Sequence, residues 1–599
     1  MTLVAVVGAL TAAQAIAAAS ISRFGSARYA QGFTHFDYAD PNAPIGGTLQ
    51  FANYDASTSY DTLNPFLIGG SVAPDVRNLM FDTLMQRSWD ELGVEYPLIA
   101  DDVEIARGGT SATFHINSAA RFSNGDPITA ADVKYSFDTL ASSDASPLIN
   151  SEFQAIRSAD VIDRLTVRFD FRPGDRDGPL IAGDLPVFSP KWGMRPDGTR
   201  PPFNQISNVP PIASGPYLVE QRKNDKEITY RRNSAYWATD LPSRRGMYRF
   251  ERVSFKLYTD NPITLEAFKA GAIDVDAEGS SSVWARRYVG RKFDSGELIK
   301  HAFPDGPPNM QGIAINSRRP MFRDVRVREA LTLAFDYDWM NRMMFYGQYR
   351  RSTSYFDPAT FGASGTPSGK ELALLDPFRT GLPPEVFGPM IKPPSTLLPH
   401  SLRSNLRKAR DLLAAAGWQY GNGALRDQHG TPMKIEILSD DPGYDRILVP
   451  YAQTLGILGI DAWVHRVDAA LEQRRVDYFD YDMDTEGYSN ISIPGPELSR
   501  RFSCKTASET GSENYTGVCS KAVDALIQAA QKASTLDDLE TATRALDRVL
   551  MNGYYMVPEF YSPNARIGYN AMLGFPSVIP KSYSDADWII GYWYWRSPR

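Results

Sequence analysis

Apolar positions along the chain recur on two spacings. A two-residue period bounded by turn residues predicts strands over 48–53, 113–116, 161–171, 217–221, 250–258, 273–275, 309–316, 434–438, 461–467 and 481–483. Spacings of three and four residues predict helices over 72–89, 262–271, 408–416, 447–458, 522–533 and 536–551. Two further helices announce their starts. Thr129 is an N-cap with Asp132 three residues on, and Val133, Phe137 and Leu140 form the apolar stripe behind it. Asp324 precedes Val327, Ala330, Leu331, Ala334 and Phe335 at helical spacing, and Thr535 with Asp538 repeats the capping-box pattern. Gly271 and Gly417 read as helix stops. The stretch 190–211 reads as loop, and 351–400, with nine prolines, as a long surface excursion without regular structure.

Strands alternating with helices imply α/β lobes rather than a sandwich or a bundle. With 599 residues the chain is too long for a single core and fits two or three domains. The hydrophobic share of 43% and charged share of 22% are those of a soluble globular protein, and a net charge of −7 argues against a nucleic-acid surface, which needs a basic stripe. Residues 1–19 are small, apolar and uncharged, with small-x-small patterns at Ala15–Ala17 and Ala17–Ala19, and read as a secretory signal peptide. No Lys or Arg precedes the apolar run, which departs from that pattern. Cys504 and Cys519 are read as a disulfide formed in an oxidising compartment, with two buried thiols as the alternative. Neither follows the N-terminal segment, so a soluble periplasmic protein is expected rather than a lipoprotein.

Enzyme signatures are sparse. The six histidines (His35, His115, His301, His400, His429 and His465) are scattered, and the chain contains no H-E-x-x-H, Cys-x-x-Cys, phosphate-binding loop or G-x-S-x-G elbow. No metal, cofactor or catalytic residue is expected. A two-carboxylate glycoside hydrolase is the remote alternative, because 70 Asp and Glu residues are available.

One continuous stretch is more specific. Phe114-His115-Ile116, Arg121-Phe122-Ser123-Asn124-Gly125-Asp126-Pro127-Ile128-Thr129-Ala130-Ala131-Asp132-Val133 and the helix after it read as strand, turn and helix. Further on come Ser214-Gly215-Pro216-Tyr217 with Arg232-Asn233 and Tyr236-Trp237, then Ala270-Gly271-Ala272-Ile273-Asp274, then Asp324-Val325-Arg326-Val327-Arg328-Glu329-Ala330-Leu331. In this order they resemble the extracellular solute-binding proteins of family 5, the oligopeptide and dipeptide receptors of ABC importers. His35-Phe36-Asp37-Tyr38, Asn42-Ala43-Pro44, Gly46-Gly47 and Asp61-Thr62-Leu63-Asn64-Pro65-Phe66 resemble its YejA-like branch.

The resemblance implies an α/β, two-lobed periplasmic binding protein fold of type II, with an extra subdomain at about 73–187 and a ligand cleft between the lobes. Lobe I would comprise 45–305 plus 560–599 and lobe II 306–559. It further implies a monomer that captures peptides or peptide-like conjugates by hinge closure and delivers them to ABC importer permease subunits in the inner membrane. An opine, sugar-phosphate or oligosaccharide is the alternative cargo. Strand ends and crossovers then supply the ligand-facing candidates: Tyr54, Asp55 and Ser57; Ser281 and Trp284; Asn309, Met310 and Gln311; Glu486, Gly487, Tyr488, Ser489 and Asn490; and Tyr561. Trp284 and Tyr488 are the strongest. Dipeptide and oligopeptide receptors carry an Asp shortly after the position of Gly487-Tyr488 that pairs with the ligand amine. Here Ser489-Asn490-Ile491-Ser492 offers no carboxylate, so Asp55 or Glu486 must serve, or the ligand has no free amine there.

Overall fold

A computed structural model describes residues 16–18, 20–29, 32–52, 59–173, 175–223, 225–258, 260–305, 310–488 and 493–597. They fall into two compact units, one drawn from 1–279, 288–303 and 566–599, the other from 280–287 and 304–565.

The first unit is built on a seven-stranded mixed sheet. Its order is Tyr217–Lys223, Glu227–Arg232, Arg252–Lys256, Thr48–Ala52, Val275–Ala277, Asn564–Asn570 and Leu298–Pro304. Thr48–Ala52 lies parallel to Arg252–Lys256 on one side and to Val275–Ala277 on the other. A second, five-stranded sheet contains the hairpin Ile156–Asp163 and Thr166–Phe171. Its other edge strand, Ile16–Ala18, comes from the N-terminal apolar segment and pairs with Ala100–Ile105.

The motifs that carried the resemblance prove to be structural. Thr129 and Asp132 form the expected capping box on Ala130–Leu140. Gly215 donates its N–H to the Met80 carbonyl at 2.8 Å, and a Cβ there would lie 2.4 Å from the Met80 carbonyl carbon, so only glycine fits the approach. The Tyr236 hydroxyl donates to Asp82 Oδ1 at 2.9 Å, beside the buried Arg244–Asp82 ion pair at 2.9 Å. Gly271 ends Asn261–Ala270 at φ 83°, a left-handed C-cap.

Several expectations need correction. The helix expected over 72–89 is only Val76–Met80; Phe81 is extended and Met85–Arg87 is a strand paired with Val94–Pro97. Val76, Leu79, Met80, Phe81, Leu84 and Met85 are all buried, so burial on every side, not one helical face, set the spacing that was read. The stretch 161–171 is the end of one strand and all of the next. The strand expected over 481–483 is Met483–Gly487, which puts Glu486 and Gly487 inside it rather than after it.

The second unit has a five-stranded sheet in the order Asp461–Arg466, Lys434–Ser439, Met483–Gly487, Gln311–Ile315 and Met556–Pro558. Its core joins inward residues of the sheet (Ile313, Ile315, Ile435, Ile437 and Met483) to apolar faces of Val325–Leu333, Leu402–Ala415 and Asp445–Ile457. Gly312 sits where a Cβ would lie 2.4 Å from the Val557 carbonyl oxygen. The proline-rich stretch 351–400 is more ordered than expected. It contains the helix Gly369–Leu375 and is tied to the buried face of Leu536–Asn552. Asp547 accepts the backbone N–H groups of Tyr355 (2.7 Å) and Ala363 (2.9 Å). Arg548 donates to the carbonyls of Ser364, Gly365 and Gly388 and to Glu371 Oε1. A composition count sees the prolines but not these two anchors, the first of which lies 192 residues beyond Tyr355.

Cys504 and Cys519 form the expected disulfide, across a sequence separation of 15. Inside the loop Asn514 Nδ2 donates to the carbonyls of Ser503 and Val518, and the Tyr515 ring stacks on Tyr488 with centroids 5.7 Å apart. Closing a loop of that length contributes about 3 kcal/mol in the chain-entropy treatment. Reduction, or Cys504→Ser with Cys519→Ser, should therefore lower the denaturation midpoint of this unit, measured by urea titration with and without reductant.

Candidate functional site

The carboxyl ends of three strands in the second unit meet the amino end of a fourth. Lys434–Ser439 and Met483–Gly487 run parallel, and Gln311–Ile315 runs antiparallel to Met483–Gly487 and to Met556–Pro558. Asp440, Glu486, Glu559 and Gln311 thereby gather at one edge of the sheet. In open α/β sheets the carboxyl ends of strands are where ligands are taken. Gln311 opposes Gly487 in register, Tyr488 donates its N–H to the Met310 carbonyl at 2.9 Å, and Glu559 donates its N–H to the Gln311 carbonyl at 3.0 Å. Gln311 Nε2 reaches Glu559 Oε2 at 3.2 Å and also the Tyr444 hydroxyl.

This edge is acidic. Residues two apart on a strand share a face, so Asp484 and Glu486 point the same way, opposite to Met483 in the core. Burial pushes Asp484 up to about 9, with Glu486 and Glu472 adding like charge. Burial, then Glu472, pushes Glu486 up to about 8. Glu472 on Ala469–Asp477 is raised by burial and by Asp440. Burial lifts Glu559 to about 7, and its Oε1 is enclosed without a hydrogen-bond partner. The nearby cations are engaged elsewhere: Arg466 pairs with Asp445 and Arg475 with Glu436 at 2.6 Å. Carboxyls crowded in this way are poised to receive a cation.

The arrangement has a consequence for stability. The carboxyls at 484 and 486 titrate higher in the fold than their ordinary 3.8 and 4.5. Their contribution is full below the unfolded values and is lost as pH rises through about 8 to 9. The melting temperature of the ligand-free protein should fall between pH 5 and pH 9, and Asp484→Asn should flatten that fall; a profile unchanged by the substitution would contradict the assignment.

Of the residues singled out in the sequence, Met310, Gln311, Glu486, Gly487 and Tyr488 come together at this edge, and Tyr561 follows on Phe560–Tyr561, paired with Arg350–Arg351. Tyr488 is buried among Tyr355, Phe502 and Tyr515, with Arg501 over its ring. Ser281 and Trp284 lie on the helix Ser281–Arg287, both buried; Gln348 Nε2 donates to the Ser281 carbonyl at 2.9 Å. Tyr54, Asp55, Ser57, Asn309, Ser489 and Asn490 lie outside the described residues. Sequence reasoning missed Glu559, Asp484, Glu472 and Asp440. Asp484 was within reach, since Asp-Thr-Glu on a strand places two acids on one face; the other three come from separate segments that only the sheet order unites.

Residues 95–510 match the family described as bacterial extracellular solute-binding proteins, family 5 Middle. The chain belongs to that family. Among curated relatives of this family 5 protein, a putative binding protein of Brucella abortus is 36% identical over 557 residues, covering 91% of this chain and 89% of the relative. A probable peptide-binding protein, YejA, of Agrobacterium fabrum is 33% identical over 578 residues, covering 95% and 93%. Among solved structures, the family 5 fold matches NikA from Brucella suis, in complex with Fe(III)-EDTA, with TM-score 0.65 at 19% identity over 88% of this chain and 96% of that one. It matches the oligopeptide-binding protein AppA from Bacillus subtilis, in complex with a nonapeptide, with TM-score 0.63 at 18% identity, covering 92% and 100%. The two-lobed binding-protein fold expected from the sequence motifs is therefore the fold of this chain, and its relatives are binding proteins rather than enzymes. Among the described residues no helix is long and apolar enough to cross a membrane, and no group of His, Cys, Asp or Glu is arranged to hold a metal ion.

Proposed function

We propose that this protein is the periplasmic receptor of an ABC importer, that it captures peptides or peptide-like conjugates by hinge closure, and that it hands them unchanged to a membrane permease. On this reading the N-terminal apolar segment directs export, and the mature monomer diffuses free of the membrane. The acidic strand edge carries the proposal. A peptide with a free amino terminus brings the cation that Glu486, backed by Asp484 and Glu472, lacks. Glu486 thus takes the role of the acid absent from 489–492. The peptide backbone would bond to main-chain groups along the strand ends, giving affinity with little sequence preference. The kinship with YejA and the fold shared with a nonapeptide-bound protein support the same cargo class.

A ligand that binds only the folded state raises the melting temperature by mass action. A thermal-shift panel of short peptides, opines, sugar phosphates and oligosaccharides should show stabilisation by the peptides alone. Stabilisation by the opines or sugars without the peptides would reject the proposal.

A further inference from the structure

A cavity lies within the same unit, walled in part by the proline-rich segment. It measures about 400 Å3, and its walls include Tyr337, Asp338, Arg351, Met390, Ile391 and Lys392. None of its lining residues belongs to the strand-edge group.

Arg351 is the unusual member. Its Nε donates to the Pro558 carbonyl at 3.2 Å and its Nη1 to the Pro394 carbonyl at 2.5 Å. The guanidinium lies near the rings of Phe335 and Tyr337, 5.4 and 5.6 Å from their centroids. Nη2 is enclosed and has no hydrogen-bond partner. None of the carboxylates around it hydrogen-bonds the guanidinium. Asp338 Oδ2 accepts from Ser395 Oγ and the Thr396 N–H, both at 2.7 Å. Asp336 Oδ1 accepts from the Trp339 N–H at 3.2 Å and from Thr396 Oγ1. Glu559 accepts from Gln311. Asp338, Asp336 and Glu559 act on the guanidinium only through space, so its enclosed Nη2 is left without a matched acceptor.

We propose that this cavity is an accessory ligand site, in which Arg351 receives the carboxylate of an apolar monocarboxylic acid about the size of an amino acid. A planar carboxylate suits a guanidinium edge. The Asp338 carboxyl group in the wall disfavours a doubly charged anion such as phosphate. Met390, Ile391, Pro393 and Pro394 suit an aliphatic body. Because Nη2 is shut off from solvent, the ligand must draw the guanidinium edge towards itself as it enters.

The test uses 4-methylpentanoate and its neutral counterpart 4-methylpentanamide, titrated calorimetrically into the full chain. The acid should bind saturably and the amide should not. Arg351→Gln should weaken the acid by about tenfold or more, the usual loss when a charged hydrogen bond is removed, while Lys370→Ala, at an exposed pair outside both sites, should leave it unchanged. If Arg351→Gln fails to fold, Ile391→Trp, which fills the cavity, should abolish binding instead. Equal binding of acid and amide, absence of saturable binding of the acid, or binding that survives both cavity substitutions would overturn the proposal. The peptide site is untouched by any of these outcomes, because its own test uses different ligands and a different variant.

Discussion

Glu486→Gln should weaken binding of a free-amine peptide by roughly thirtyfold or more, because a partly enclosed ammonium loses the carboxylate that pairs with it directly. The substitution keeps the shape of the side chain and removes only its capacity to ionise. The pH dependence supplies a second readout. In the free protein Glu486 titrates at about 8, raised by burial and by Glu472, so near neutrality it is largely protonated. An arriving ammonium favours the carboxylate and pulls that value down. Binding at pH 7 should therefore release a proton, visible as a calorimetric enthalpy that varies with the buffer's ionisation heat. Affinity should climb as pH rises from 6 towards 8, then fall once the ligand's own amine, near 7.7–8.0 when free, begins to lose its proton. In Glu486→Gln both the rise and the proton release should shrink. A variant that binds as tightly as the parent, with the same pH profile, would remove this carboxylate from the account.

Arg548→Ala should cost roughly 3–5 kcal/mol, the range for breaking a buried charge network from one side. Three carbonyls and Glu371 would lose their donor together, and the segment that Arg548 holds would come away from Leu536–Asn552. Asp547→Ala should act in the same direction, leaving the Tyr355 and Ala363 N–H groups without an acceptor. Lys370, whose exposed pairs are with Asp537 and Asp538, is the control, and Lys370→Ala should change little. Urea unfolding followed by tryptophan fluorescence would rank the three. Equal midpoints for Arg548→Ala and Lys370→Ala would show that the proline-rich segment needs no such anchor. A large loss of stability with intact peptide binding in the surviving fold would mark the anchors as purely architectural.

Local chemistry was legible in the sequence wherever one segment decided its own conformation. Thr129 with Asp132 caps its helix as the spacing requires, Asp324 accepts from the Arg326 N–H at the start of Val325–Leu333, and Gly271 turns left-handed where a stop was expected. Reading failed where burial came from several sides. Val76 to Met85 gave a helical rhythm only because every apolar residue there is covered, and the chain leaves the helix at Phe81. The site was half legible. Gln311, Glu486 and Tyr488 could be picked out as strand-end residues. Their companions Asp440, Glu472 and Glu559 could not, since sheet order, with Met483–Gly487 between Lys434–Ser439 and Gln311–Ile315, is not written in any one segment. The two anchors of the proline-rich segment escaped for the same reason.

The central claim is that the acidic strand edge of the second unit holds the cationic end of a peptide-like cargo. The most direct measurement is calorimetric titration of one short peptide in two forms, with a free amino terminus and with that terminus acetylated. Tight binding of the free form and at least thirtyfold weaker binding of the acetylated form is the result predicted here. Equal affinity for the two would contradict it.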